Sequence, residues 1–193
     1  LKNELVERQP VLYAGYTAQG LYCAVEVTLP GTNLPRAMLT EHDSAVYQED
    51  SVEIFLQPAG YDGYYQFIAS AAGTKLEAKG VVGKPANIGT YNPEWQVKTS
   101  SEPGKWRAEV FIPFAALDVA AGPSAGQVWK ANVCIDSSSG FSNAALWSFS
   151  PGVFNQPMFF GDLLFMGKER AVRQETFGGF RTGEPQVVFS LIG

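Results

Sequence analysis

From Val11 to Phe165 the chain is cut into short alternating segments by Gly, Pro, Asn and Asp, and it offers no convincing long helix. DSVEIFLQ shows the pattern best. Val52, Ile54 and Leu56 point one way, while Ser51, Glu53, Phe55 and Gln57 point the other. Val11 to Val27 reads as a hairpin turning at Ala18-Gln19-Gly20, and YYQFIAS returns through Gly73-Thr74. KWRAEVFIP is a strand stopped by Pro113, Phe114 to Leu117 makes one helical turn, and GQVWKANVCID alternates again. Ten to twelve strands are expected, in one all-β antiparallel β-sandwich of the immunoglobulin or jelly-roll kind spanning residues 1–193.

Composition supports a β-rich globular chain and narrows its partners. The 193 residues include 20 Gly, 12 Pro and 13% aromatics, and the net charge is −5. An acidic chain lacks the electrostatic footprint for phosphate backbones, so neither nucleic acid nor an anionic membrane surface is an expected partner. No apolar run is long enough to span a bilayer as a helix. The chain begins at Leu1 without Met, which reads as a processed chain or an excised domain. Cys23 and Cys134 are too few for a disulfide scaffold; both fall in apolar strand contexts, and two free thiols are expected.

The polar residues of the strands carry the functional question. Glu53 and Gln57, Gln66 and Ser70, Arg107 and Glu109, and Lys130, Asn132 and Asp136 share strand faces with apolar neighbours. A plain solvated outer face accounts for most of them. The alternative is a concave face of hydrogen-bonding groups flanked by aromatics.

Three stretches, in order, resemble the family 9 carbohydrate-binding modules and their wider superfamily, which includes DOMON-type domains. HDSAVYQEDSVEIFLQ followed by YYQFIASAAG is similar to the family's D-x-V-E-[IV]-F-[LI] strand and the Tyr-rich strand after it. KWRAEVFIPFAAL is similar to W-x-x-E-[VA]-x-I-P-[FW]-x-x-L. VWKANVCID, LWS and FFGDLLF are similar to W-x-x-N, W-S and F-G-x-[LI]-x-F. The resemblance covers a core of about residues 11–166 and leaves 167–193 as an extension expected to pack on it.

What the resemblance implies is a non-catalytic sandwich that holds a polysaccharide or oligosaccharide between two aromatic side chains. Such modules often carry structural calcium, commonly sit beside a catalytic domain on the same chain, and work outside the cytoplasm. Carried over by motif, the aromatic before the strand is Tyr47 and the strand carboxylate is Glu53. The late aromatic falls on Trp147, with Asn132 and Asn143 nearby. Tyr stands where Trp is usual, and Ile135 stands where Arg is often found. The chemistry suits a sugar in its own right. Flat aromatics cover C–H faces, while carboxylates and amides such as Glu53, Gln66 and Asn132 bond vicinal hydroxyls. Tyr47 and Trp147 are expected on one face with Glu53 between them, although Trp147 can equally be a core residue.

Rival readings have thinner support. Glu53 and Glu109 as neighbours on adjoining strands would give a hydrolase pair, but ion pairing along strands explains such carboxylates equally well. A Ser/His/Asp triad has only His42 to draw on, and no Gly-x-Ser-x-Gly is present. Haem ligation by Met38, Met158 or Met166 with His42 meets the difficulty that Met38 and His42 share one loop. Loop carboxylates such as Asp43, Asp50 or Asp62 admit a structural calcium. A ligand-free structural or interaction sandwich is the remaining alternative.

Overall fold

The structure, a computed structural model, describes residues 9–81, 86–119, 121–139, 144–167, 171–177 and 187–192. The chain divides into two compact units. One comprises Leu1–Gly122 with Val128–Leu163, and the other Pro123–Gln127 with Leu164–Gly193.

The first unit is the sandwich. Strands β1 (Val11–Tyr16), β2 (Gly20–Thr28), β3 (Ser51–Gln57), β4 (Gly63–Ser70), β5 (Lys75–Val81) and β6 (Asn87–Ile88) come first. Strands β7 (Gln96–Glu102), β8 (Lys105–Pro113), β9 (Val128–Asp136), β10 (Ala144–Leu146) and β11 (Gly161–Leu164) follow. One sheet has the order β1-β2-β8-β7. The other runs β10-β9-β3-β4-β5-β6, with β11 also paired to β9. The sequence-predicted hairpin turn, the Phe114–Leu117 turn (a 3-10 helix) and the strand over Val128–Asp136 are all present. Strand β10 lies in a segment read from sequence as loop, because AAL is too short and too featureless to announce a strand.

Alternation decides what fills the space between the sheets. Leu21, Val25 and Val27 of β2 and Trp106, Ala108, Val110 and Ile112 of β8 are buried on one side. Val52, Ile54, Leu56, Phe67, Ala131 and Ile135 are buried on the other. The outward face of β8 stays wet. Glu26 there lies 2.8 Å from Lys105 and 2.7 Å from Arg107, an ordinary strand-face ion network.

The seven-stranded sheet does not follow that rule. Six of the seven residues of β3 are buried, on both faces. Its second face is covered by loops, which seat Phe160 on Phe55, Tyr64 and Cys134 and seat Val46 on Ile68 and Leu76. The solvated outer face expected from sequence is therefore corrected for this sheet.

Both cysteines are free thiols in different sheets, Cys23 on β2 and Cys134 on β9. Burial pushes the Cys23 thiol up to about 12 and raises Cys134 well above its ordinary value, which favours the neutral thiol in both. In the second unit, β12 (Ala171–Phe177) and β13 (Val187–Ile192) form an antiparallel hairpin with an irregularity between Gln174 and Thr176.

Gly80 on β5 is needed because the Tyr64 ring lies flat across it; a Cβ there would overlap the ring. Gly80→Ala should destabilise the chain by about 1–3 kcal/mol through overpacking, measured as a lower urea midpoint with an unchanged slope. A midpoint equal to the parent's would show that Tyr64 can move aside freely.

Candidate functional site

The second face of β3 brings three polar side chains together in an apolar setting. Glu53 pairs across to Ile68 of β4 and to Cys134 of β9. From two residue pairs further along, Gln66 Nε2 donates to Glu53 Oε2 at 2.8 Å. From the other side Asp136, opposite Ser51, is hydrogen-bonded to Glu53, and Ser51 Oγ donates to Asp136 Oδ2 at 3.0 Å. Glu53 is 4% exposed, whereas Gln66 and Asp136 are only half-buried. The surface offered to a ligand is thus an amide and a carboxylate, with a second carboxyl beneath them.

Two acidic groups in contact within a dry sheet cannot both ionise comfortably. Burial raises the Glu53 carboxyl well above the usual range, the charge and hydrogen bond of Asp136 raise it further, and the Gln66 amide opposes them. Burial also lifts Asp136, to about 6, while hydrogen bonds from Glu53 and Ser51 hold it down. Glu53 is therefore the member that keeps the proton and donates it toward Asp136.

The rim comes from two loops. A short 3-10 turn, Val46–Gln48, is anchored by fully buried Val46 on Ile68 and Leu76 and leaves Tyr47 43% exposed beside this face. The loop after β10 supplies Phe154, packed on the Phe55–Tyr64–Phe160 cluster, and Asn155, whose Nδ2 donates to Tyr64 Oη at 3.0 Å. Sequence reasoning missed Phe154, Asn155 and Tyr64. Their only signal was the density of aromatics between Trp147 and Phe160, which does not say which ring faces inward.

The acidic run before β3 has a different task. Asp50 accepts the backbone N–H groups of Arg36, Ser138 and Ser139, and Glu49 accepts those of Met38 and Leu39. These two buried carboxylates staple the loop ahead of β3 to the sheet. Asp50 meets these backbone donors with both of its oxygens. Asp62 is exposed on a turn.

The remaining expected site residues separate. Asn132 is completely buried; its Nδ2 donates to the Ser148 carbonyl at 2.8 Å and its Oδ1 accepts the Ser148 N–H at 2.9 Å. It clasps a loop to β9 and is shut away from any ligand on the surface. Trp147 is 51% exposed, but not beside Glu53. Leu146 packs on the Glu53 side of the sheet, and the ladder continues with Trp147 N–H donating to Val133 O at 2.8 Å. The Trp147 ring lies over Gly161, the residue after inward-packed Phe160, so it points to the opposite face. Tyr47 and Trp147 are thus carried by separate elements, Tyr47 beside Val46 on its 3-10 turn and Trp147 over Gly161. Asn143 lies outside the described residues. Glu109 is on the other sheet, opposite Ala24 and Lys98, so it is no neighbour of Glu53. Met38 and Met158 are exposed, and His42 Nε2 is bonded to Glu77 rather than arranged for haem.

Comparison with protein-family models and with curated proteins finds no match. Solved structures do match. A candidate carbohydrate-binding protein from Bacteroides uniformis superposes with a TM-score of 0.66 at 22% identity, over 82% of this chain and 78% of that one. A family 9 carbohydrate-binding module from Caldicellulosiruptor kristjanssonii in complex with glucose superposes at 0.56 with 19% identity, over 86% and 81% of the two chains. Its complex with cellotriose gives 0.56 at 18%, over 86% and 80%. The chain shares its fold with these solved structures. The β-sandwich read from the alternation and the family read from the motifs lead to the same architecture.

The shared proton makes stability depend on pH in an unusual direction. Both shifts are upward, so between about pH 4, where free carboxylates titrate, and the native values the folded chain holds protons that the unfolded chain releases. The contribution is full at low pH and is lost as pH rises through about 6, where Asp136 ionises. Glu53→Gln keeps an acceptor for Gln66 and a donor for Asp136 while removing the buried group that titrates. Thermal melts of this variant should show a weaker decline between about pH 5 and pH 8, with a Tm above the parent's at the upper end. An unchanged pH profile would show that the pair does not titrate as described.

Proposed function

We propose that the chain is a non-catalytic carbohydrate-binding domain. Its ligand is a neutral polysaccharide or oligosaccharide held over Gln66 and Asp136 and bordered by Tyr47 and Phe154. The observation that carries this reading is the Glu53–Gln66–Asp136 array, a pre-ordered set of polar groups half-open on an otherwise apolar face. Vicinal sugar hydroxyls both donate and accept, which suits an amide beside a carboxylate; the flat C–H faces suit Tyr47. The neighbouring structures with glucose and cellotriose support the same ligand class. An acidic floor disfavours anionic sugars.

Hydrolysis fits the array poorly. Glycosidase carboxyls stand at least about 5 Å apart across the scissile bond, whereas Glu53 and Asp136 are joined by a hydrogen bond. In this reading the domain brings an associated glycoside-active enzyme, on the same chain or beside it, to its substrate outside the cytoplasm. No helix of the described residues is long and apolar enough to cross a membrane.

Calorimetry with glucose, cellotriose and a panel of neutral plant and microbial oligosaccharides tests this directly. At least one should bind, without release of reducing sugar. Tyr47→Ala and Gln66→Ala should each weaken binding about tenfold, one stacking or charge-assisted contact apiece. Trp147→Ala should bind as the parent does. A folded chain that binds nothing in the panel would favour a ligand-free interaction sandwich. Loss confined to Trp147→Ala would move the site to the other face.

A further inference from the structure

On the opposite side of β5 from Leu76, three ligand-type atoms converge away from the Glu53 face. His42 Nε2 lies 2.7 Å from Glu77 Oε1 and 3.7 Å from Asp43 Oδ1, and all three atoms fall within 4.8 Å of one another. Glu77 is completely buried, and its other oxygen accepts the indole N–H of Trp95 at 2.8 Å. His42 is half-exposed, which leaves a path from solvent. Asp43 Oδ1 is shielded from water and has no hydrogen-bond partner.

We infer that His42, Asp43 and Glu77 form a site for one divalent transition-metal ion of the Zn2+ type. The hydrogen-bonding alternative leaves a group unmet. A single proton on His42 Nε2 serves Glu77 at 2.7 Å and cannot at the same time serve Asp43, so a buried carboxylate oxygen stays without a donor. A cation at the centroid serves all three. An ion about 2.1 Å from each ligand in tetrahedral geometry sets them about 3.4 Å apart; His42 and Asp43 stand at 3.7 Å, and the His42–Glu77 pair at 2.7 Å opens by several tenths of an ångström to admit the ion. One imidazole and two carboxylates leave a fourth position for water. A nitrogen ligand favours Zn2+, or Co2+ in its place, over Ca2+, which takes six or more oxygens.

The scaffold holds the ligands in place before any ion arrives. Asp43 N–H donates to Lys75 O at 3.0 Å, and Thr74 Oγ1 donates to Leu39 O at 2.6 Å, which fastens the His42 loop to the β4–β5 hairpin. Trp95, itself buried against Phe67, fixes the Glu77 carboxylate from behind, as an outer hydrogen bond commonly does for a metal ligand. Both lysines on this face of the strand are engaged elsewhere: Lys75 is held over the Trp95 ring with its ammonium donating to Trp95 O, and Lys79 donates to Asp118.

The test uses the full chain after chelator treatment and dialysis. Zn2+ followed by calorimetry should saturate at one equivalent and raise Tm, and Co2+ should give the visible d–d bands of a low-coordinate nitrogen–oxygen site. His42→Ala and Asp43→Asn should each weaken Zn2+ at least about tenfold and abolish the Co2+ bands; the metal-free melt of Asp43→Asn should stay close to the parent's, while His42→Ala, which takes the donor from buried Glu77 Oε1, should melt lower. Glu77 is left intact because its loss would orphan the Trp95 N–H. Absence of saturable Zn2+ binding would overturn the site, as would affinity retained in both variants. Stabilisation by Ca2+ that survives His42→Ala would overturn the nitrogen ligand and with it the metal class.

Discussion

Glu53 sits in a strand with a partner on each side and loops across its second face, and there it is 4% exposed. A lone carboxylate in that position would cost several kcal/mol, so the surroundings are arranged around a carboxyl that keeps its proton. Gln66 reaches it from β4, Asp136 from β9, and Ser51 steadies Asp136 from the same strand. The cross-strand register that aligns β3 with both neighbours is what makes these contacts available. A slip of one residue would send Glu53 into the inter-sheet core and Val52 and Ile54 out of it.

The same strand is fastened at its start by carboxylates of another kind. Asp50 and Glu49 remain useful as acceptors because they face backbone N–H groups of loops that have no ladder partner of their own. Within five residues the chain therefore uses acidic side chains in two ways, two as staples of loop backbone and one as a buried donor. Tyr47 reaches the rim because the turn that carries it is clamped between the Glu49–Asp50 staples and the Val46 contact with Ile68 and Leu76. The polar face and its aromatic edge are consequences of one well-fixed strand entry.

Much of the architecture was legible before any coordinates. Period-two alternation and Gly/Pro punctuation marked most strands, since side-chain direction in a strand depends only on local geometry. The motif order placed Glu53, Gln66 and Asp136 on strands that turned out to be β3, β4 and β9, and these are neighbours. Trp147 and Asn132 read less well for a shared reason. Asn132 turned out to clasp Ser148, a loop residue sixteen positions away. Trp147 turned out to follow directly on β10, a three-residue strand with no sequence signature of its own.

The sequence by itself determined the class of fold, the identity of the central strand and which of its side chains share a face, because these follow from backbone geometry one residue at a time. Only the tertiary structure decided which faces are wet. Whether the second face of β3 meets water or loops depends on where Phe154, Phe160 and Val46 come to rest, and those positions are set by contacts between residues far apart in the chain. The protonation of Glu53 follows from that burial. So does the meeting of His42 and Asp43 with Glu77, across thirty-five residues from one loop to a strand. Carboxylates written in a sequence are all alike; desolvation and the nearest donor make one a staple, one a proton holder and one a ligand.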